Sequence, residues 1–222
     1  MSDKISSIQD ENIQRPKDAP GWWDCVWRRE ACGQNDCPLC GRVNRQRQKH
    51  LEQGKDPDSM EAVMEDVGEN FAQVGEMLKA DAERLGIDWE EIEEDAQAEA
   101  EEEEFDPEET ELGKRIRDWR ESLQELMQAS RDRGAAWPQT EAGRNLFWYS
   151  NTLLVKTYRQ IDSRMGGDEY VDLDYKYTRY VLKECLDILG RSLRELEEMD
   201  PERKNQFRMA ALYLDGFRED VL

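Results

Sequence analysis

Four cysteines, Cys25, Cys32, Cys37 and Cys40, stand in the spacing Cys-x6-Cys-x4-Cys-x2-Cys. Thiolates are soft donors that suit Zn²⁺ and iron–sulfur clusters. Four of them close a tetrahedral coordination sphere and leave no open position for a substrate or an activated water, which is the pattern of a structural site. In the run Cys37-Pro38-Leu39-Cys40-Gly41, two thiolates separated by two residues can reach one ion from a single tight turn, with Gly41 supplying a permissive backbone. A structural zinc centre with four thiolate ligands is the first expectation. A [4Fe–4S] cluster, for which four cysteines also suffice, and metal-free thiols are the alternatives.

That pentapeptide resembles the knuckle of zinc ribbons and rubredoxin-like sites. Cys25 and Cys32 have six residues between them and do not form a second knuckle. An irregular metal-stapled, zinc-knuckle-like loop is therefore expected in place of a ribbon. His50, the one histidine of the chain, lies ten residues past Cys40 and reads as a solvated helix residue, with substitution for Cys25 or Cys32 as the alternative. Cys185 falls in an apolar helical stripe and reads as an inert core thiol.

Little else in the chain has the form of catalytic machinery. No Gly-rich phosphate loop of the G-x-x-x-x-G-K-[ST] or G-x-G-x-x-G type occurs. A single histidine outside the long helices argues against Ser-His-Asp or Cys-His arrangements and against the Glu-x-x-His signature of di-iron bundles. A non-enzymatic protein is the favoured reading, with an iron–sulfur redox protein as the route by which it would be an enzyme. Four tyrosines, Tyr170, Tyr175, Tyr177 and Tyr180, read as packing at the end of a helix or as a partner surface.

Residues 21–55 carry seven Lys/Arg against four Asp/Glu. Arg42, Arg45 and Lys49, spaced three and four apart, would share one helix face beside a Trp-rich segment, so contact with nucleic acid is one possibility. Against it stands the net charge of −21. Of the 22 positions from Glu90 to Glu111, 14 are Asp or Glu and none is Lys or Arg, so most of that charge sits on one acidic segment. A protein partner is expected before a nucleic acid.

Five segments must position these groups. Residues 1–20 are a polar arm, expected to be disordered, with no apolar h-region. With no run of about 18 apolar residues to cross a membrane, a reducing, cytoplasmic setting is expected, where clustered cysteines are metal ligands more often than disulfides. Residues 21–55 form a four-cysteine metal-binding module with too little apolar material for a core of its own. Residues 56–88 hold an amphipathic helix opening on an Asp58/Glu61 capping box and stopping at Gly86. Its stripe is Met60, Val63, Val67, Phe71, Val74, Leu78 and Leu85, with Gly68 and Gly75 one heptad apart beside it. Residues 89–111 are an acidic linker.

Residues 112–222 hold four helical stripes: Leu112 to Leu126; Phe147, Leu154, Tyr158, Ile161 and Met165; Val181 to Leu196; and Phe207 to Val221. Asp200 and Pro201 open the last of these helices. Short links between long amphipathic helices imply antiparallel neighbours. The expected fold class is all-α, an antiparallel helical bundle with a small metal-stapled module N-terminal to it.

Overall fold

A computed structural model describes residues 13–34, 36–57, 59–89, 105–165 and 171–222. These residues form helices and no strand. The chain makes two compact units, Met1–Arg29 with Asp106–Leu222, and Glu30–Phe105. The boundary at Arg29 falls inside the stretch expected as one four-cysteine module.

The first unit holds the short helix α1 (Asp24–Trp27) and four long ones, which we label α4 (Glu111–Asp132), α5 (Glu141–Met165), α6 (Val171–Met199) and α7 (Lys204–Val221). α6 packs on both α5 and α7, and α4 packs on the same two helices. One core results, built from Ile116, Trp119 and Leu123 of α4, Leu146 and Leu153 of α5, Leu182, Leu186, Leu189 and Leu196 of α6, and Phe207, Leu214 and Phe217 of α7. Cys185 is fully buried among them, and burial pushes its thiol above the ordinary value, as an inert core thiol requires.

The α6 and α7 stripes lie where their apolar spacing puts them. The α5 stripe does so only in part: Ile161 is buried and Leu154 packs on the core. Phe147 is 44% exposed, while the adjacent Leu146 is fully buried. The buried face of α5 also carries Ser150, Thr157 and Gln160, so hydropathy alone sets the stripe off-centre. Each polar group is satisfied. Ser150 Oγ donates to the Phe147 carbonyl at 3.1 Å, Thr157 Oγ1 to the Leu153 carbonyl at 2.8 Å and Gln160 Nε2 to the Val221 carbonyl at 2.8 Å.

Two of these helices begin in the same way. Thr110 Oγ1 accepts from the Gly113 N–H at 3.0 Å and Thr140 Oγ1 from the Gly143 N–H at 3.2 Å. Each Thr-Glu-x-Gly start follows a tight turn through a proline, Pro107 or Pro138. A Cβ on Gly143 would lie 2.2 Å from the Trp137 carbonyl oxygen, and on Gly113 2.1 Å from that of Pro107. Backbone must move to admit it. Gly143→Ala is expected to destabilise the chain by about 1–3 kcal/mol, as overpacking does, read as a lowered urea midpoint. An unchanged midpoint would mean that the turn is not needed.

The second unit is a helix pair, α2 (Pro38–Glu52) and α3 (Met60–Leu85). Asp58 lies outside the described residues. The cap of α3 is Ser59, whose Oγ accepts from the Ala62 N–H at 3.2 Å, and Gly86 at φ 71° ends the helix as expected. The pair meets through polar groups. Arg42 donates to Asn70 and, at 3.0 Å, to Gln73; Gln46 donates to Asn70 at 3.2 Å; Lys49 pairs with Glu69 and Lys55 with Glu65. His50, expected in solvent, is fully buried instead, with Nε2 2.9 Å from Asp66 Oδ1.

The hydrogen bond from Lys55 holds the Glu65 carboxyl below its ordinary 4.5. A depressed carboxylate stabilises the fold above its unfolded value and loses that contribution as pH falls through the folded one. Protection of the α2 amides, taken relative to the intrinsic exchange rate at each pH, should therefore fall as pH falls below 4.5 in the native chain and be less acid-sensitive in Glu65→Gln. Equal acid sensitivity in both would remove Glu65 as the cause.

Candidate metal centre

The Trp-rich segment that carries Cys25 is anchored on α5 and α6. Trp27 is 3% exposed, and its Nε1 donates to the Tyr177 hydroxyl at 3.1 Å. The Trp27 carbonyl accepts from Trp148 Nε1 at 2.8 Å. The Trp27 ring meets Tyr149 and Tyr180 edge-on at 6.2 and 6.1 Å, and Trp23 meets Tyr177 at 4.9 Å. Aromatic edges of this kind add about 0.5–1.5 kcal/mol each to the burial of the rings. Within the polar arm, Ala19 is buried and Ile13 packs on the same core.

Asp24 is the polar hub of this anchor. Its buried carboxylate pairs with Arg15 at 3.3 Å and Arg28 at 3.2 Å, and accepts from the Tyr177 hydroxyl at 3.2 Å. Burial and the Asp24 charge push the Tyr177 phenol well above its ordinary value, so it stays a donor. After the helix, the Arg29 N–H donates to the Tyr149 hydroxyl at 3.3 Å and its guanidinium to Asn145 at 2.9 Å and to Glu141. Cys25 thus sits in a single helical turn pinned on both sides. The tyrosines expected at a helix end are used here: Tyr177 and Tyr180 are buried against the Trp segment, and Tyr170 lies outside the described residues.

Cys37 and Cys40 are placed by α2. Cys37 is the N-cap residue, Pro38 occupies the first helical position, and Cys40 follows within the first turn. Residues three apart on a helix share a face, so both thiols project to the same side. The expected tight turn with a permissive Gly41 is not what the chain adopts. Gly41 is helical, its N–H donating to the Cys37 carbonyl at 2.8 Å, and the left-handed conformation (φ 69°) falls at Gly33, directly after Cys32. Proline at the first position of a helix favours this outcome.

The four sulfur atoms of Cys25, Cys32, Cys37 and Cys40 all lie within 4.8 Å of one another. Cys32 and Cys40 Sγ are 3.5 Å apart. A tetrahedral zinc with Zn–S bonds of about 2.3 Å has S···S edges of about 3.8 Å, so small shifts of these side chains would bring all four sulfurs onto one ion. Cys37 is buried, Cys25 and Cys40 are half-buried and Cys32 is exposed. Four thiols this close could bind a metal ion. His50 takes no part, its Nε2 being used by Asp66.

The residues considered for nucleic-acid contact are partly engaged elsewhere. Arg42 is held by Asn70 and Gln73, and Lys49 by Glu69. Arg45 is exposed. The amide side chains of Asn70 and Gln73 had no signal in the sequence beyond lying on α3. The end of the acidic segment is engaged too, Glu108 with Arg117 at 3.5 Å and Glu109 with Lys114 at 2.8 Å. Its greater part, 90–104, lies outside the described residues. No described helix is long and apolar enough to cross a membrane.

No family model matches this chain, and neither the curated proteins nor the solved structures contain one similar to it.

Proposed function

We propose that the chain is a non-enzymatic, cytoplasmic protein-interaction or adaptor protein, with a structural zinc held by Cys25, Cys32, Cys37 and Cys40 and a helical bundle that present surfaces to a protein partner. The convergence of four thiols within 4.8 Å carries the reading. A closed set of four thiolates holds shape and offers no reactive position, and zinc suits such a set with no demand for redox chemistry. The core of α4 to α7, on which we base an antiparallel bundle, supplies the rigid surface. The use of Arg42 and Lys49 within the α2–α3 pair favours a protein partner over nucleic acid.

Elemental analysis of the freshly purified chain tests the metal, with one zinc per chain expected. One or more iron atoms per chain would replace this reading by an iron–sulfur protein. Capture experiments test the adaptor role: a partner that binds the zinc-loaded chain and is lost from Cys40→Ser supports it. The same background on both counts against it.

A further inference from the structure

The α2–α3 pair is assembled with its polar sides inward. Glu65, Asp66, Glu69, Asn70 and Gln73 of α3 all face α2. The opposite face of α3 presents Met64, Val67, Phe71, Val74, Leu78 and Leu85, which are between 38% and 73% exposed. Their steps of three, four, three, four and seven follow a heptad seam, which Met60 extends at one end and Asp81 interrupts between Leu78 and Leu85. Apolar residues recurring on a heptad are the pattern of helices that wind on one another. The period of about 3.5 holds from Met60 to Leu78.

Gly68 and Gly75 occupy one heptad position beside this seam, and a Cβ on either meets nothing within 4 Å. Glycine weakens a helix interior, and nothing in the α2–α3 pair uses the space it leaves. A second helix backbone approaching the seam would use it.

We infer that α3 pairs along this seam with α3 of a second copy of the chain, in antiparallel orientation. The second copy offers the matching heptads. The exposed side chains of the seam, with Met60, Val63 and Met77 at its margin, amount to on the order of 900 Å² per copy, about what a standard interface takes from each partner. Orientation follows from charge. Asp81 falls on a seam position, so parallel helices would set it against its own copy in the interface, a like-charge contact with a high desolvation cost. Antiparallel helices place Lys79 and Arg84 beside the Glu61 end of the other copy. They also bring Gly68 of one helix near Gly75 of the other.

The solution mass of the full-length, zinc-replete chain tests this. At tens of micromolar we expect twice the 26.1 kDa of one chain. Phe71→Glu and Leu78→Glu change exposed residues, so each should keep the far-UV helix signal and halve the mass. Leu212→Glu, also at an exposed apolar residue but on α7, should leave the dimer intact. A wild-type mass of one chain, or a dimer that survives both glutamate variants, overturns the pairing. A spectroscopic label on a non-natural residue at position 60 reports orientation. Antiparallel helices would put the two labels roughly 35 Å apart at about 1.5 Å per residue, and labels within roughly 10–15 Å would overturn the antiparallel assignment.

Discussion

Cys37→Ser should reduce the metal content of the purified chain from one zinc to a small fraction of that, and make the 30–57 segment an early site of proteolysis. Cys37 is the buried member of the four and stands at the N-cap of α2, so its loss removes a ligand that the helix holds in place. The remaining three thiols bind more weakly, and the binding free energy of such sites, about 10–16 kcal/mol in small zinc peptides at neutral pH, is also folding free energy. Far-UV helix content should change little, because α4 to α7 carry a core of their own. Full zinc content in the variant, or proteolysis at the wild-type rate, would mean that Cys37 is not a ligand.

Phe207→Ala should lower stability by about 3–5 kcal/mol, the usual cost of a large side chain removed from a core. Phe207 is fully buried in α7 and meets the Trp137 ring edge-on at 5.2 Å. Trp137 is itself buried, in the turn that leads into α5. The deletion therefore leaves a cavity between a helix and a turn that can collapse only by moving the α5 start, where Gly143 is already in close contact. A urea denaturation series reads the loss directly. A cost below about 1 kcal/mol would place Phe207 outside the core.

The cysteine cluster is legible in the sequence because residue type and spacing together restrict the chemistry. Four thiols within sixteen residues can meet around one ion, and their sulfur atoms do lie within 4.8 Å of one another. What spacing does not give is the local backbone. Cys37 and Cys40 look like a knuckle on a turn, yet proline at the first helical position lets α2 begin there and recruits Gly41 into it. The helices of the core are legible where their buried faces are purely apolar, as in α6 and α7. The pattern is off-centre on α5, whose buried face includes Thr157 and Gln160 beside Ile161, because a hydrogen-bonded polar side chain can be buried and carries no hydropathy signal.

The stripe on α3 shows a different limit. Apolar periodicity establishes that Met60–Leu85 is helical and that one side is oily. It does not say what that side meets. Here the α2 contact is made by charged and amide groups on the other side, a pairing set by individual hydrogen bonds. By composition the tryptophans of 21–27 belong to a module without a core. Trp27 instead inserts among Tyr149, Tyr177 and Tyr180, far away in sequence, a contact that no local pattern encodes.

The most direct measurement is X-ray absorption at the zinc edge on the purified full-length chain. The account predicts one zinc per chain in a shell of four sulfur atoms at about 2.3 Å, with no nitrogen or oxygen neighbour. A first shell containing nitrogen or oxygen, or a chain that retains no zinc, would contradict it.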